Sequence, residues 1–176
     1  MFQVDGRSVV KLGAEDVPAL RGLVERCHAF MTLVYGAVEP DAAEQLLEGL
    51  PPDKTLEDKF ALGLYADGTK ELLGVLDAVR GFPEPDEWII GMLLIDPDHR
   101  RAGLGARFVT VFEQWVRGQG ASGIRLVVQE QNPDALRFWQ KQGYEVTGMT
   151  LQQTPRRQNL IQLLHKSLAS PAPGAS

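Results

Sequence analysis

Cysteine is nearly missing from this chain, with Cys27 alone among 176 residues. One thiol excludes an internal disulfide and offers no metal-ligand spacing, so no metal is expected. Long hydrophobic runs are missing as well. No stretch approaches the roughly 18 apolar residues of a membrane span, and the opening MFQVDGRSVV lacks the basic and then apolar pattern of a secretory leader. The expectation is a cytoplasmic protein with no membrane partner. Positive charge is also in deficit. A net charge of −5 argues against a nonspecific nucleic-acid binder, despite the Arg100-Arg101 and Arg156-Arg157 pairs. Internal repeats are absent. Cys27 precedes His28, but adjacent helix positions point in different directions, and Cys27 falls in register with Val17, Leu20, Val24 and Met31. It reads as a small buried hydrophobe rather than half of a dyad.

What is present suits one α/β domain over residues 1–168, because 176 residues can bury one substantial core but not two. Alternation and β-rich runs predict strands at Val9–Leu12, Phe60–Tyr65, Leu72–Arg80, Trp88–Ile95, Ile124–Gln129, Val146–Leu151 and Leu160–Lys166. Ala66-Asp67-Gly68 marks a hairpin turn between the second and third of these. Helical spacing predicts helices over Glu15–Met31, Pro40–Leu50, Leu104–Arg117 and Asp134–Gln142. Residues 169–176 are Ser, Ala, Pro and Gly only, and a disordered tail is expected there.

The most informative stretch is IIGMLLIDPDHRRAGLGARF, Ile89 to Phe108. An apolar strand passes through a Pro turn into Arg100, Arg101, Gly103 and Gly105 and opens a helix whose Leu104, Phe108, Val111, Phe112 and Trp115 share one face. Glycines admit a ligand close to the backbone, the first helical turn leaves N–H groups unpaired, and the dipole adds positive character. Paired arginines add donors suited to phosphate oxygens. The stretch is not a dinucleotide fingerprint, because Arg100 stands where the first glycine belongs, and no Gly-Lys-Ser/Thr makes it a P-loop.

Arg100, Gly103 and Gly105 at this spacing resemble motif A of the GNAT superfamily of acyl-coenzyme A N-acyltransferases. A second segment agrees: Asn132, Ala135, Phe138, Trp139, Lys141, Gly143 and Tyr144 follow the family's Asn and Ala-x-x-Phe/Leu-Tyr-x-Lys-x-Gly-Phe run. The resemblance implies a single-domain GNAT-like α/β fold, with a mixed, mostly antiparallel sheet of six to seven strands flanked by about four helices. It implies acetyl-coenzyme A as co-substrate and a primary amine as acceptor. A homodimer is compatible with it. The acidic net charge favours a small, cationic acceptor.

Carried onto this chain, the resemblance places the pantetheine arm along Leu93, Leu94 and Ile95. An oxyanion-binding N–H would sit at a strand bulge near Leu93. The pyrophosphate would lie on the N–H groups of Arg101, Ala102, Gly103, Leu104, Gly105 and Ala106, beside Arg100. Asn132 and Phe138 join the cofactor site, although Asn132 serves equally as a helix N-cap.

Transfer requires a neutral amine, and a primary amine near pKa 10 is mostly protonated, so a base must take its proton. The family often places a Glu before the bulge, where this chain has Ile90-Gly91-Met92. Asp77, an acid inside an apolar strand, and Glu87, just before the next strand, are the candidate bases. Asp77 reads alternatively as a surface-facing residue or as the partner of Arg80 or another arginine. Trp139 occupies the place of the family's usual acid, a tyrosine, and an indole cannot usefully lose its proton. Tyr144 is the alternative donor. A domain that binds acyl-coenzyme A without transferring from it is the competing reading.

Overall fold

A computed structural model describes residues 1–168. Eight strands form one sheet in the order β1-β2-β3-β4-β5-β6-β8-β7. They are β1 Phe2–Val4, β2 Arg7–Lys11, β3 Lys59–Tyr65, β4 Leu72–Arg80, β5 Glu87–Ile95, β6 Gly123–Gln129, β7 Glu145–Gln153 and β8 Gln158–Ser167. Every neighbouring pair is antiparallel except β5 and β6. Five helices flank the sheet: α1 Val17–Arg26, α2 His28–Tyr35, α3 Ala42–Glu48, α4 Leu104–Gly118 and α5 Pro133–Lys141. Among the described residues, no helix is long and apolar enough to cross a membrane.

The architecture is the mixed α/β sheet expected, with one strand more than the upper limit and one helix more. The extra strand is β1, too short to leave a hydrophobic period. Its signal was the Asp5-Gly6 dipeptide, whose two positive φ angles (51° and 82°) make the tight turn into β2. The extra helix arises because the run predicted over Glu15–Met31 starts as a 3-10 turn at Ala14–Asp16 and breaks at Cys27, which ends α1 and precedes α2. Cys27 remains buried, as its register requires, but its Sγ lies 3.5 Å from the Ile95 carbonyl and 3.4 Å from an Arg100 nitrogen. The break thus rests on the turn that follows β5. The tail expectation falls outside the described residues.

Sheet alternation divides the core in two. On one face α4 and α5 cover Leu62, Leu64, Leu76, Trp88, Ile90, Ile124, Leu126 and Val128. Phe2, Phe60, Trp88, Phe112 and Trp115 interlock there with ring centroids 5.0–6.2 Å apart. On the other face α1, α2 and α3 cover Ala61, Leu72, Val75, Met92 and Leu94. Phe112 is fully enclosed at the centre of the α4 face. Phe112→Ala is expected to lower the unfolding free energy by about 3–5 kcal/mol, read as a shift of the urea midpoint at unchanged m-value.

Candidate active site

The parallel pairing of β5 with β6 runs only from Glu87↔Gly123 to Ile90↔Leu126. Beyond it β5 stays bonded to β4 and β6 to β8, so the two strands part and their facing peptide groups have no strand partner. A cleft of about 620 Å³ fills the gap, lined by Gly91–Ile95, Val127–Gln129, the start of α4, α5 and the C-terminal end of α2. Unpaired backbone groups in a wedge between strands suit an extended, amide-bearing ligand that bonds as a strand would.

At the mouth of the wedge, Arg101 and Gly103 take positive φ angles of 63° and 77°. For an arginine that conformation costs about 1–2 kcal/mol, a strain of the kind that collects at ligand-binding turns. The first backbone bond into α4 is Arg107 N–H to the Gly103 carbonyl, 3.1 Å. The N–H groups of Leu104, Gly105 and Ala106 therefore precede the helical ladder and lie on the cleft. A Cβ on Gly105 would stand 3.4 Å from Ile95 and 3.7 Å from Phe138, so the glycine keeps a shallow floor there.

Arg100 does something other than present a free fork. Its Nε donates to the Ile95 carbonyl at 2.8 Å and its Nη2 faces Cys27 Sγ, so the side chain braces the end of β5 while still lining the cleft. Asp96 fixes the same turn. It accepts from the Asp98 N–H and from Arg26, which also donates to the Leu72 carbonyl. Burial raises the Asp96 carboxyl, but the Asp98 N–H, Arg26 and His99 outweigh it and hold it below the ordinary carboxylate range.

Asn132 serves as the cap of α5, its Oδ1 accepting from Ala135 N–H at 3.2 Å, and it also lines the cleft. The two readings of this residue are compatible, since the cap leaves its amide NH2 uncommitted. Phe138 and Trp139 line the cleft as well, with ring centroids 5.0 Å apart.

The three acid–base candidates separate clearly. Glu87 is away from the cleft. Its carboxylate lies 3.0 Å from His165 Nε2 and bonds Arg125, which ties β5, β6 and β8 together at the closed end of the wedge. Tyr144 is also elsewhere: it is buried behind Trp139, near Glu113 and Lys166, and burial followed by Glu113 pushes its hydroxyl far above the ordinary range. Neither position suits proton exchange with a substrate in the cleft.

Asp77 is different. The β4–β5 register passes from Asp77↔Met92 to Ala78↔Ile90, so Gly91 is the extra residue of a bulge, two positions before the expected one near Leu93. Asp77 Oδ2 lies 2.7 Å from where a Cβ on Gly91 would be. Where β5 carries no carboxylate, Asp77 of β4 directs one into the space that Gly91 leaves. Its partner is neither Arg80 nor another arginine. Lys59 Nζ is 2.7 Å from Oδ1 and also donates to the Gly49 carbonyl at 2.6 Å. Burial pushes the Asp77 carboxyl up to about 6, against the lowering pull of Lys59.

The sequence left Phe30, Val34 and Tyr35 of α2, Gln129 of β6 and Gln152 of β7 unassigned, although all five line the cleft. Asn159 Nδ2 and Arg157 Nη1 hold the end of α2 in place by bonding the Val34 and Leu33 carbonyls. No motif marks such contacts, which join residues more than 120 positions apart.

Several solved structures share this fold. An acetyltransferase from Thermus thermophilus aligns with a TM-score of 0.71 at 24% identity, over 95% of this chain and 100% of that one. The ribosomal-protein-S18-alanine N-acetyltransferase of Escherichia coli aligns with a TM-score of 0.71 at 16% identity, over 97% and 99%. An N-acetyltransferase from Staphylococcus aureus gives 0.69 at 13%, over 93% and 99%. No curated protein matches the sequence significantly. Residues 24–144 match the acetyltransferase (GNAT) family, and that span carries the wedge, the glycine turn and the α5 segment. The chain belongs to the GNAT family of acetyltransferases, enzymes that take an acyl group from acyl-coenzyme A.

Proposed function

We propose that this enzyme transfers an acetyl group from acetyl-coenzyme A to a primary amine by direct attack, with Asp77 as the general base. The observation that carries the reading is the Asp77 carboxylate lying over Gly91, at the bulge where the cleft meets the α1–α3 face. The co-substrate supplies an activated thioester carbonyl. The residues present fit it: free N–H groups at Leu104, Gly105 and Ala106 for the diphosphate, unpaired β5 peptide groups for the amide-bearing arm, and the Asn132 amide beside them.

With its carboxyl near 6, Asp77 is mostly ionised at neutral pH and can take a proton from an incoming ammonium directly or through one water. In this scheme a backbone N–H near the Gly91 bulge stabilises the negative charge that develops on the carbonyl oxygen. Trp139 in place of a tyrosine leaves the departing sulfur without that hydroxyl. A thiol of pKa near 8.5 leaves tolerably as its thiolate.

Acetyl-coenzyme A at 100 times its dissociation constant is expected to stabilise the wild type by about 2.7 kcal/mol. Gly105→Val, with extra methyl groups between Ile95 and Phe138, is expected to fold and to lose most of that shift in a melting experiment. In the wild type, kcat/KM for an amine is expected to gain one order in hydroxide as pH rises to about 6 and to leave that slope above it, since only the ionised Asp77 accepts a proton. Asp77→Asn should lower kcat by about 10²–10⁴-fold. Adding Gly91→Glu to Asp77→Ala should restore part of the loss, because the glutamate occupies the space that the aspartate vacates. Full activity in Asp77→Asn would remove the base from this scheme.

A further inference from the structure

Strand alternation sorts the cleft walls by face. On β6, Ile124, Leu126 and Val128 enter the cluster under α4, so Val127 and Gln129 point to the face that α1–α3 cover. Phe30, Val34 and Tyr35 reach the cleft from α2 on that face, where Met92 of β5 is packed. Gln152 of β7 approaches Gln129, with 3.5 Å between its Oε1 and the Gln129 Nε2. The charged residues of the lining are Arg100, Arg101, Asp134 and Lys141. All four come from the glycine turn or from α5, whose Phe138 and Trp139 belong to the α4-side cluster. The half of the cleft beside Asp77 is apolar and aromatic, with two carboxamides, and the one charged lining residue to reach it among those described is Arg100, whose guanidinium is held by the Ile95 carbonyl and Cys27 Sγ.

We infer that the acceptor is the α-amino group of an amino-acid amide or of a peptide's first residue, with an apolar side chain against Phe30, Val34 and Tyr35 and its amide bonded by Gln129 and Gln152. This inference rests on the amine-transfer reading given above. A carboxamide offers both a donor and an acceptor, the complement of an amide group. A polyamine or amino sugar would bring a further cation or a polar face into this half, where no carboxylate is free to meet it. Asp77 already balances Lys59. A free carboxylate on the acceptor is equally unsupported, because Arg156 is paired with Glu39 and neither it nor Arg157 lines the cleft. An α-ammonium, with pKa about 7.7–8.0, also gives up its proton more readily than a lysine-type one near 10.4. The small cationic acceptor expected from the net charge is thereby narrowed to one with a single ammonium. Net charge governs encounter, whereas the wall composition governs what fits.

The test compares kcat/KM from thiol release at fixed acetyl-coenzyme A for leucinamide, Leu-Gly-Gly, free leucine, spermidine and glucosamine. Leucinamide or Leu-Gly-Gly is expected to exceed the other three by about 10-fold or more, and the better of the two identifies a small-molecule or a peptide source. Gln152→Glu, checked for folding by its melting temperature, is expected to lower kcat/KM for leucinamide and raise it for spermidine. Spermidine, glucosamine or free leucine matching the amides in wild type would overturn the inference and leave amine transfer standing. Cofactor-dependent thermal stabilisation with no thiol release from any of the five would overturn the transfer reading, and this inference with it.

Discussion

The end of the β5–β6 ladder at Ile90↔Leu126 is the constraint on which the rest of the molecule depends. Two parallel strands that part in mid-sheet expose peptide N–H and C=O groups, and leaving such groups unpaired is costly unless water or a ligand takes them. The opening is held at both ends. At the closed end, Glu87 joins Arg125 and His165 across three strands. At the open end, Arg26, Asp96 and Arg100 fix the turn after β5 through its side chains and the Ile95 carbonyl. Between these clamps, β4 and β8 each hold one arm of the wedge. The shape is thus a property of the packed sheet.

A second cost is accepted beside the wedge. Asp77 and Lys59 are both buried, and removing two charges from water can cost more than their attraction returns. Lys59 gains a further bond to Gly49, while Asp77 keeps one oxygen directed to the bulge. Had the pair served packing alone, two apolar residues would fill the same volume without the desolvation. The pair sits in an otherwise apolar strand, next to a glycine at a bulge on the cleft, and this placement is what the proposed proton transfer draws on. Perturbed carboxylates concentrate at sites that need them.

Some of this was legible in the sequence because it depends on local backbone demands. Gly103 is needed for a positive φ, and Asn132 with Pro133 for the start of α5, so these positions carry a fixed spacing. Asp77 was visible as an acid among apolar neighbours, but its direction depends on the one-residue slip at Gly91, which no periodicity encodes. Glu87 and Tyr144 were equally visible as residue types. Only packing shows that one is a strand clamp and the other lies behind an indole. The segments starting at Tyr35 and Gln152 stood out in the sequence only as loops without a motif, and Gln129 not at all, because these residues come from elements that only the fold brings together.

The exchange of tyrosine for Trp139 follows the same division between chemistry and shape. Trp139 packs edge-on against Phe138 and Tyr144, with centroids 5.0 and 5.1 Å away, and so forms a solid wall between the cleft and the core. A phenol there would offer a proton to the departing sulfur, whereas an indole offers bulk and water exclusion. Coenzyme A thiolate needs that proton far less than an alkoxide would, since a thiol ionises near pH 8.5. In the proposed reaction the demanding proton is instead the one on the incoming amine, and the buried carboxylate of Asp77 lies over Gly91, which lines the cleft. On the proposed mechanism, catalytic effort is therefore concentrated on the acceptor side, by Asp77 and Gly91.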